Sequence, residues 1–485
     1  MLHIGRNIIS LVISRVLAAV ILFLIYTRLA QYLGPEAAGQ YGLLASYITI
    51  FSIFVDLGMS QLVIKKVSED QTHASKYLSN YFFIQTSLAA LFMLIMAAIV
   101  YFADYPVIVK NSLYVTSLVL FLSSLSLPFR SVINAFQKLT VIAKVNFFNS
   151  MINALFMVLA IVLRKNIFFL AFIGVTVSLF DLIVYSYITH KKFARFKWEI
   201  DWTFVKQLFI WTWPFTLVTF FSVYNRIDTV LLAHFRDFHE VGYYAVAYKF
   251  WDVLAFLPTV IGISLYPFYA QRLSVGAKED VRRGVETYTR YMIALALPLS
   301  VGAFLTSTNL ISVFYGQEFL PAAPALWLLV LSVSILLVYS PVNSLILSQK
   351  TKTATIITGG TLFFNVATNI IFIPKYGFVA AAVITAISEL IQAVCYSYVI
   401  KHRVIDYRIF RNFAKPLVAV AVMAAFIVLT QSYLTVWLVI ILAGCVYGLM
   451  LLLSKFFHKE DWELFKAAID IRKKVVTEIK PDITL

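Results

Sequence analysis

Residues 224–257 read YNRIDTVLLAHFRDFHEVGYYAVAYKFWDVLAFL, and their composition decides the class of the chain. Two apolar segments flank a short polar turn at 234–240. Inside those segments stand Arg226, Asp228, Lys249 and Asp252. Segments this apolar belong in a membrane, where ionisable groups are costly and rare. Such groups face a bundle interior or a watery cavity, so each is a candidate functional residue. The rest of the chain is then the scaffold of such a cavity.

Composition supports that scaffold. Of 485 residues, 61% are hydrophobic and 13% are charged, and the mean hydropathy is +0.86. Soluble globular chains carry about 25% charged residues. Apolar runs long enough to cross a hydrocarbon core of roughly 30 Å recur throughout. A β-barrel would show short alternating segments instead. The class is an all-α polytopic membrane protein. Fourteen spans are expected, from 8–29 and 41–64 at the start to 414–431 and 434–454 at the end. The segment 8–29 is too long for the core of a cleavable signal and is interrupted by Arg15, so it reads as the first span.

Charge places the ends. With the N-terminus on the cytoplasmic side, 32 Lys and Arg residues fall on that side and 6 on the other, while Arg226 and Lys249 lie within the membrane. This bias puts both termini in the cytoplasm of a cell bounded by an inner membrane. It also accounts for the net charge of +16 without a nucleic-acid partner.

A repeat organises the chain. Phe147-Phe148-Asn149 with Asn153 recurs as Phe363-Phe364-Asn365 with Asn369. Tyr185-Ser186-Tyr187 is answered by Tyr396-Ser397-Tyr398, Gln137-Lys138 by Gln349-Lys350, and Gly39-Gln40-Tyr41 by Gly242-Tyr243-Tyr244. Residues 1–190 and 207–402 are therefore expected to be two parallel six-helix lobes, a design that places substrate between the lobes. Residues 191–206 form the linker, expected as an interfacial helix on the anionic leaflet. Residues 403–456 add two spans outside the repeat, and 457–485 read as an amphipathic cytoplasmic tail.

The intramembrane cations Arg15, Arg226 and Lys249 suit an anionic substrate. The acids Asp56, Asp228, Asp252 and Glu389 are candidates for ion coupling, or for plain ion pairs such as Arg15 with Asp56 and Lys249 with Asp252. Asn149 and Asn365 are candidates for sugar contacts, or for the interhelical hydrogen bonds that such amides often make. The two cysteines lie in apolar spans and suggest neither disulfide nor metal site. Without a phosphate-binding loop or a metal-spaced cluster, neither enzymatic activity nor a cofactor is expected. Moving one negative charge outward across an inside-negative membrane gains about 2.3 kcal/mol per 100 mV, so the membrane potential or an H+ or Na+ gradient can drive transport.

Several stretches carry a resemblance. They are Tyr32-Leu33-Gly34-Pro35-Glu36 running on to Gly42, Val55-Asp56-Leu57-Gly58-Met59, Arg226-Ile227-Asp228-Thr229 leading to Val241-Gly242-Tyr243-Tyr244, Tyr315-Gly316-Gln317-Glu318-Phe319, and Ile373-Pro374-Lys375-Tyr376-Gly377. Together they resemble the Wzx-type polysaccharide or O-antigen flippases of the multidrug/oligosaccharidyl-lipid/polysaccharide exporter superfamily, relatives of MurJ and the MATE antiporters. The resemblance implies two six-helix bundles in a V around a cationic cavity. It implies a polyprenyl-diphosphate-linked glycan as substrate, moved from the inner to the outer leaflet by alternating access, with membrane lipids and a polysaccharide polymerase or other assembly proteins as partners. By position, Arg15, Arg226 and Lys249 would meet the headgroup. A lipid II-type flippase, a MATE-like exporter of organic cations and a non-transporting scramblase or scaffold are the alternatives. Orientation is testable directly: a reporter active only in the cytoplasm should be active when fused after Leu485 and inactive when inserted after Lys165.

Overall fold

A computed structural model describes the backbone of residues 2–220, 224–408 and 413–457. Side chains are described there except at 2–19, 214, 215, 217–220, 224, 225, 259, 260, 263 and 264. Arg15 and the expected tail helix beyond 457 lie outside the described residues.

The described elements are helical. In order they are α1 Leu2–Asp56, α2 Met59–Glu69, α3 Ala74–Phe102, α4 Val107–Ala135, α5 Leu139–Val162, α6 Ile167–Lys192, α7 Trp202–Phe220, α8 Tyr224–Phe235, α9 Phe238–Leu254, α10 Phe256–Ser274, α11 Lys278–Tyr315, α12 Ala323–Gln349, α13 Thr351–Arg403, α14 Ala414–Thr430 and α15 Val436–Leu453. Short 3-10 turns at Gln71–His73 and Gln317–Ala322 complete them. Among the described residues, 9 helices are long and apolar enough to cross a membrane, fewer than the fourteen spans expected. The two counts part at particular places. α1 and α13 each run through a kink, at Gly34 (φ 73°) and Gly377 (φ 62°), and so each joins two expected spans. The expected spans at 207–231 and 241–269 are each carried by two shorter helices, α7 with α8 and α9 with α10, and the one at 414–431 by α14, a shorter apolar helix of 17 residues.

The lobes meet along one seam. The second half of α1 crosses α9 so closely that a Cβ on Gly39 would collide with the Phe238 carbonyl. Reciprocally, a Cβ on Gly242 would collide with the Pro35 carbonyl. An offset of 203 carries Gly39 onto Gly242 and Pro35 onto Phe238, so this is one contact made twice by the two copies of the repeat. In a membrane, where lipid is as apolar as leucine, helices associate by such close packing of small residues.

Below the seam the lobes part. At the seam end a single core unites them, with Leu43, Leu44 and Tyr47 packed among Val241, Tyr244 and Tyr248. At the basic end each lobe has its own core, but Leu208 of α7 packs into that of the first lobe and Thr216 of α7 donates to the Leu57 carbonyl at 2.6 Å. Leu62, Ile133 and Tyr185 belong to the first lobe, and Leu265, Leu345 and Tyr396 to the second. The change of partner falls where the crossing helices break, at Leu57-Gly58 between α1 and α2 and at Ala255 between α9 and α10. Both lobes also use their repeated tyrosine alike. Tyr185 donates to Asn146 Oδ1 at 2.9 Å, and the Tyr396 hydroxyl lies 2.7 Å from that of Thr358.

The linker departs from expectation. Residues 194–201 carry no helix. They form a strap pinned across the basic end of the first lobe. The Lys197 amide donates to Ser79 Oγ at 3.0 Å, the Asp201 amide to Asn80 Oδ1 at 2.9 Å, and Lys76 pairs with Asp201 at 2.8 Å. The Lys76 ammonium holds the Asp201 carboxyl below its ordinary range. Of the linker aromatics, Phe193 packs on Phe136 and Phe196 on Phe82, while Trp198 and Trp202 remain largely exposed. The added helices α14 and α15 pack on α11, where the Tyr447 hydroxyl donates to the Ala294 carbonyl at 2.6 Å.

The seam should not tolerate a side chain. Gly242→Leu is expected to hold the lobes apart at this end and to expose Gln40, now 7% accessible. A Gln40→Cys reporter should react with a membrane-impermeant maleimide much faster in the Gly242→Leu background than alone.

Candidate functional site

The site is built on α8 and α9. Asp237 caps α9, its side chain accepting from the Glu240 amide at 3.0 Å. Glu240 then ties this turn to its surroundings. It accepts from Arg236 Nε at 2.7 Å and from the Phe378 amide at 3.0 Å, beside the α13 kink, where a Cβ on Gly377 would collide with the Glu240 carboxylate. Anchored at this end, α9 runs antiparallel to α8 and brings residues 26 positions apart face to face.

Arg226 and Asp252 meet there. Arg226 Nη2 donates to Asp252 Oδ1 at 2.7 Å and to Oδ2 at 2.9 Å. Lys249, one turn before Asp252, reaches the same carboxylate at 3.7 Å. Each cation also lies over a ring: Arg226 is 4.4 Å from the centroid of Tyr248, and Lys249 is 4.7 Å from that of Tyr26, on α1. The triad has two positive charges and one negative, so one positive charge is left over. Its side chains are 22%, 33% and 31% exposed for Arg226, Lys249 and Asp252. They are partly exposed while lying within the span. Opposed charges paired on aromatic faces at low dielectric interact strongly yet remain open to exchange of partner.

The other candidates lie elsewhere. Asp228, two residues from Arg226, is 2% exposed and points into the second lobe. It accepts from the Tyr244 hydroxyl and, at 2.7 Å, from the Thr229 amide. Asp56 closes the end of α1, accepting from Tyr81 and from Ser60 Oγ, both at 2.7 Å. Glu389 is 2% exposed and accepts from the Tyr339 hydroxyl at 2.6 Å. Asn149 donates to Asp181 at 2.7 Å, and Asn365 donates to Ser388 at 3.0 Å. The structure thus gathers Arg226, Lys249 and Asp252, and distributes Asp228, Asp56, Glu389, Asn149 and Asn365 within the lobes. Among the described residues no group of His, Cys, Asp and Glu could hold a metal ion. Tyr26, Tyr248 and Glu240 were not legible in the sequence. Two are tyrosines among 27, and the third stands in an ordinary polar turn.

An apolar pocket of about 440 Å³ opens beside the triad. Phe23 of α1, Phe250 and Val253 of α9, Pro298 of α11 and Ile440 of α15 border it. Phe250 and Val253 directly follow Lys249 and Asp252 in sequence, about 100° round the helix, so a charged face and an apolar face lie side by side on α9.

The buried acid of the second lobe yields a stability test. Tyr244→Phe removes a donor from the enclosed Asp228 carboxylate and should destabilise the protein by about 1–3 kcal/mol. Thermal unfolding of the purified protein measures this, and adding Asp228→Asn should recover part of the loss.

Comparison with known proteins agrees with this architecture. The family described as polysaccharide biosynthesis protein matches residues 25–324, more than half of the chain. An uncharacterized membrane protein of Methanocaldococcus jannaschii is 25% identical over 222 residues, 44% of this chain and 43% of that protein. The probable flippase AglR of Haloferax volcanii is 27% identical over 179 residues, 35% of this chain and 37% of that protein. The matched segments cover less than half the length of either relative. Among solved structures, the lipid II flippase MurJ in an inward closed conformation superposes with a TM-score of 0.76 at 17% identity, over 93% of this chain and 99% of that one. A multidrug resistance MATE family transporter in an inward-facing conformation gives a TM-score of 0.58 at 12% identity, over 83% of this chain and 95% of that one. The chain belongs to the polysaccharide biosynthesis protein family and is built on the two-lobed helical membrane fold of MurJ and the MATE transporters.

Proposed function

We propose that this protein is a flippase that carries a polyprenyl-diphosphate-linked oligosaccharide from the inner to the outer leaflet of the cytoplasmic membrane by alternating access. The observation that carries this reading is the Arg226–Asp252–Lys249 triad, seated below the seam that joins the two lobes and above cores that are distinct apart from the α7 bridge. Placing the basic end in the cytoplasm, as the charge bias favours, puts the seam on the outer side and opens the cavity inward.

A diphosphate entering this cavity must lose water, and a residual positive charge at the apex offsets that loss. Its oxygens match the guanidinium of Arg226 as the Asp252 carboxylate does, so the headgroup competes with Asp252 for the same donors. The apolar pocket on the adjoining face of α9 suits a prenyl chain, with the charged headgroup beside it at the triad. Parting of the Gly39–Gly242 seam, with closure below, would then present the headgroup outward. Outward movement of the anion follows the membrane potential. Asp228 and Glu389, held apart from the apex within the second lobe, are the acids through which a proton or sodium gradient would reset the lobes. Arg15, on the opposing helix, would extend the path of the headgroup, and Asn149 and Asn365 are less suited to sugar because both are engaged inside their lobes. A polymerase or other assembly protein would take the product.

The test is headgroup translocation in a strain lacking its own flippase, at matched expression. Arg226→Ala and Lys249→Ala should each lower the rate by about tenfold or more, the equivalent of one charge-assisted contact. Asp252→Asn should retain transport and bind a soluble diphosphate mimic more tightly, because the competing carboxylate is gone. Normal transport by both alanine variants would make the triad structural. Ion-coupled efflux of cationic dyes by the wild type, without glycan movement, would place the protein with the drug antiporters.

A further inference from the structure

Two enclosed hydroxyls beside the triad have no acceptor. Tyr26 stands on α1 in the first lobe, and Tyr315 is the last residue of α11 in the second. They are 6% and 2% exposed, and neither hydroxyl has a hydrogen-bond partner among the described residues. A buried hydroxyl without a partner is costly, and two at one place call for an explanation.

Packing brings both to the triad. Lys249 Nζ lies 4.7 Å from the centroid of the Tyr26 ring and 3.7 Å from Asp252 Oδ2. The Tyr315 ring lies 6.2 Å from that of Phe250, the residue after Lys249. α1 meets the end of α11 through Phe23, whose ring is 5.3 Å from that of Phe314, the neighbour of Tyr315. Phe23 and Tyr26 are three residues apart and share a helix face. Further along α1, Gln31 Nε2 donates to the Phe314 carbonyl at 2.9 Å. Both hydroxyls lie within electrostatic reach of the Asp252 carboxylate, and of each other.

Enclosure decides what these donors can serve. Both hydroxyl oxygens are shut off from the surface, so a headgroup does not reach them while this arrangement holds. Asp252 is better placed. Its side chain is 31% exposed, and its present partner Arg226 is the group for which a diphosphate competes. We propose that Tyr26 and Tyr315 are positioning residues that receive the Asp252 carboxylate when an anionic diphosphate displaces it from Arg226. A carboxylate released from its guanidinium inside the membrane loses much of its compensation, and the diphosphate beside it repels it. Lys249, one turn away on the same helix, stays with it through the exchange. The two hydroxyls replace the donors that Arg226 withdraws, in charge-assisted bonds of the stronger kind. The empty site thus keeps two orphaned donors and the loaded site has none. Tyr26 belongs to one lobe and Asp252 and Tyr315 to the other, so loading acts directly on the junction of the lobes. This inference rests on the flippase reading, because it needs a diphosphate as ligand.

The test is calorimetric binding of inorganic pyrophosphate to the full-length protein in lipid nanodiscs, read as a double-mutant cycle. The paired variant Tyr26→Phe with Tyr315→Phe keeps both rings and should bind pyrophosphate about tenfold more weakly than wild type. Without ligand, its thermal midpoint should equal or exceed that of wild type, because the lost hydroxyls had no partner. In an Asp252→Asn background the same pair should leave the affinity unchanged, since no carboxylate has to be received. Equal weakening in both backgrounds overturns the proposal, because the hydroxyls then act on the ligand itself. A lower midpoint in the ligand-free pair also overturns it, by showing the hydroxyls already bonded in the empty site. A wild type that ignores pyrophosphate, or binds it equally well as Arg226→Ala, overturns the flippase reading and this inference with it. Binding lost in Arg226→Ala but kept in the phenylalanine pair overturns this inference alone.

Discussion

The approach of two backbones at Gly39 and Gly242 sets the geometry of everything beneath it. Each glycine admits the carbonyl of the opposite copy of the repeat, Phe238 on one side and Pro35 on the other. No hydrophobic effect drives helices together in lipid, so contact of this closeness is what a membrane protein has to hold two lobes in one arrangement. Because the contact is made twice by equivalent residues, the lobes are fixed in relation to each other at one end, while at the other their cores are distinct and linked through α7.

The apex beneath the seam is where the chain admits charge. Arg226, Lys249 and Asp252 would be prohibitive on a lipid-facing surface. Here they satisfy one another over the rings of Tyr248 and Tyr26, and one positive charge remains. The other buried acids are treated differently. Asp228, Asp56 and Glu389 each receive hydroxyl donors from within a lobe, so their charge is answered locally and is not offered to the cavity. Asp181 is answered on one oxygen only. The protein thus holds acids of two kinds, fully donated and incompletely donated.

Much of the fold was legible in the residues. Apolar runs, the bias of Lys and Arg, and the paired motifs at Asn149 and Asn365 announce a helical membrane protein with an internal repeat. So did the positions of the charges, since few residues can occupy a span without a reason. The linker lacks the helix that its basic-aromatic pattern predicts, because such a pattern satisfies a leaflet and a protein groove equally well. Its backbone donors were claimed by Ser79 and Asn80, more than a hundred residues away, and local composition carries no trace of such a contact.

The sequence by itself determined the class of the molecule, its repeat, its sidedness of charge and which spans carry charged residues. Those properties are local or periodic, and water and lipid sort them without reference to the rest of the chain. Only the tertiary structure decided which charges face one another. Arg226 lies 26 residues from Asp252, and Lys249 meets Tyr26 from the other lobe. Pairings of this kind depend on the angle at which helices cross. That angle is set by two glycines whose importance lies in the absence of a side chain, a property that no pattern of polarity records.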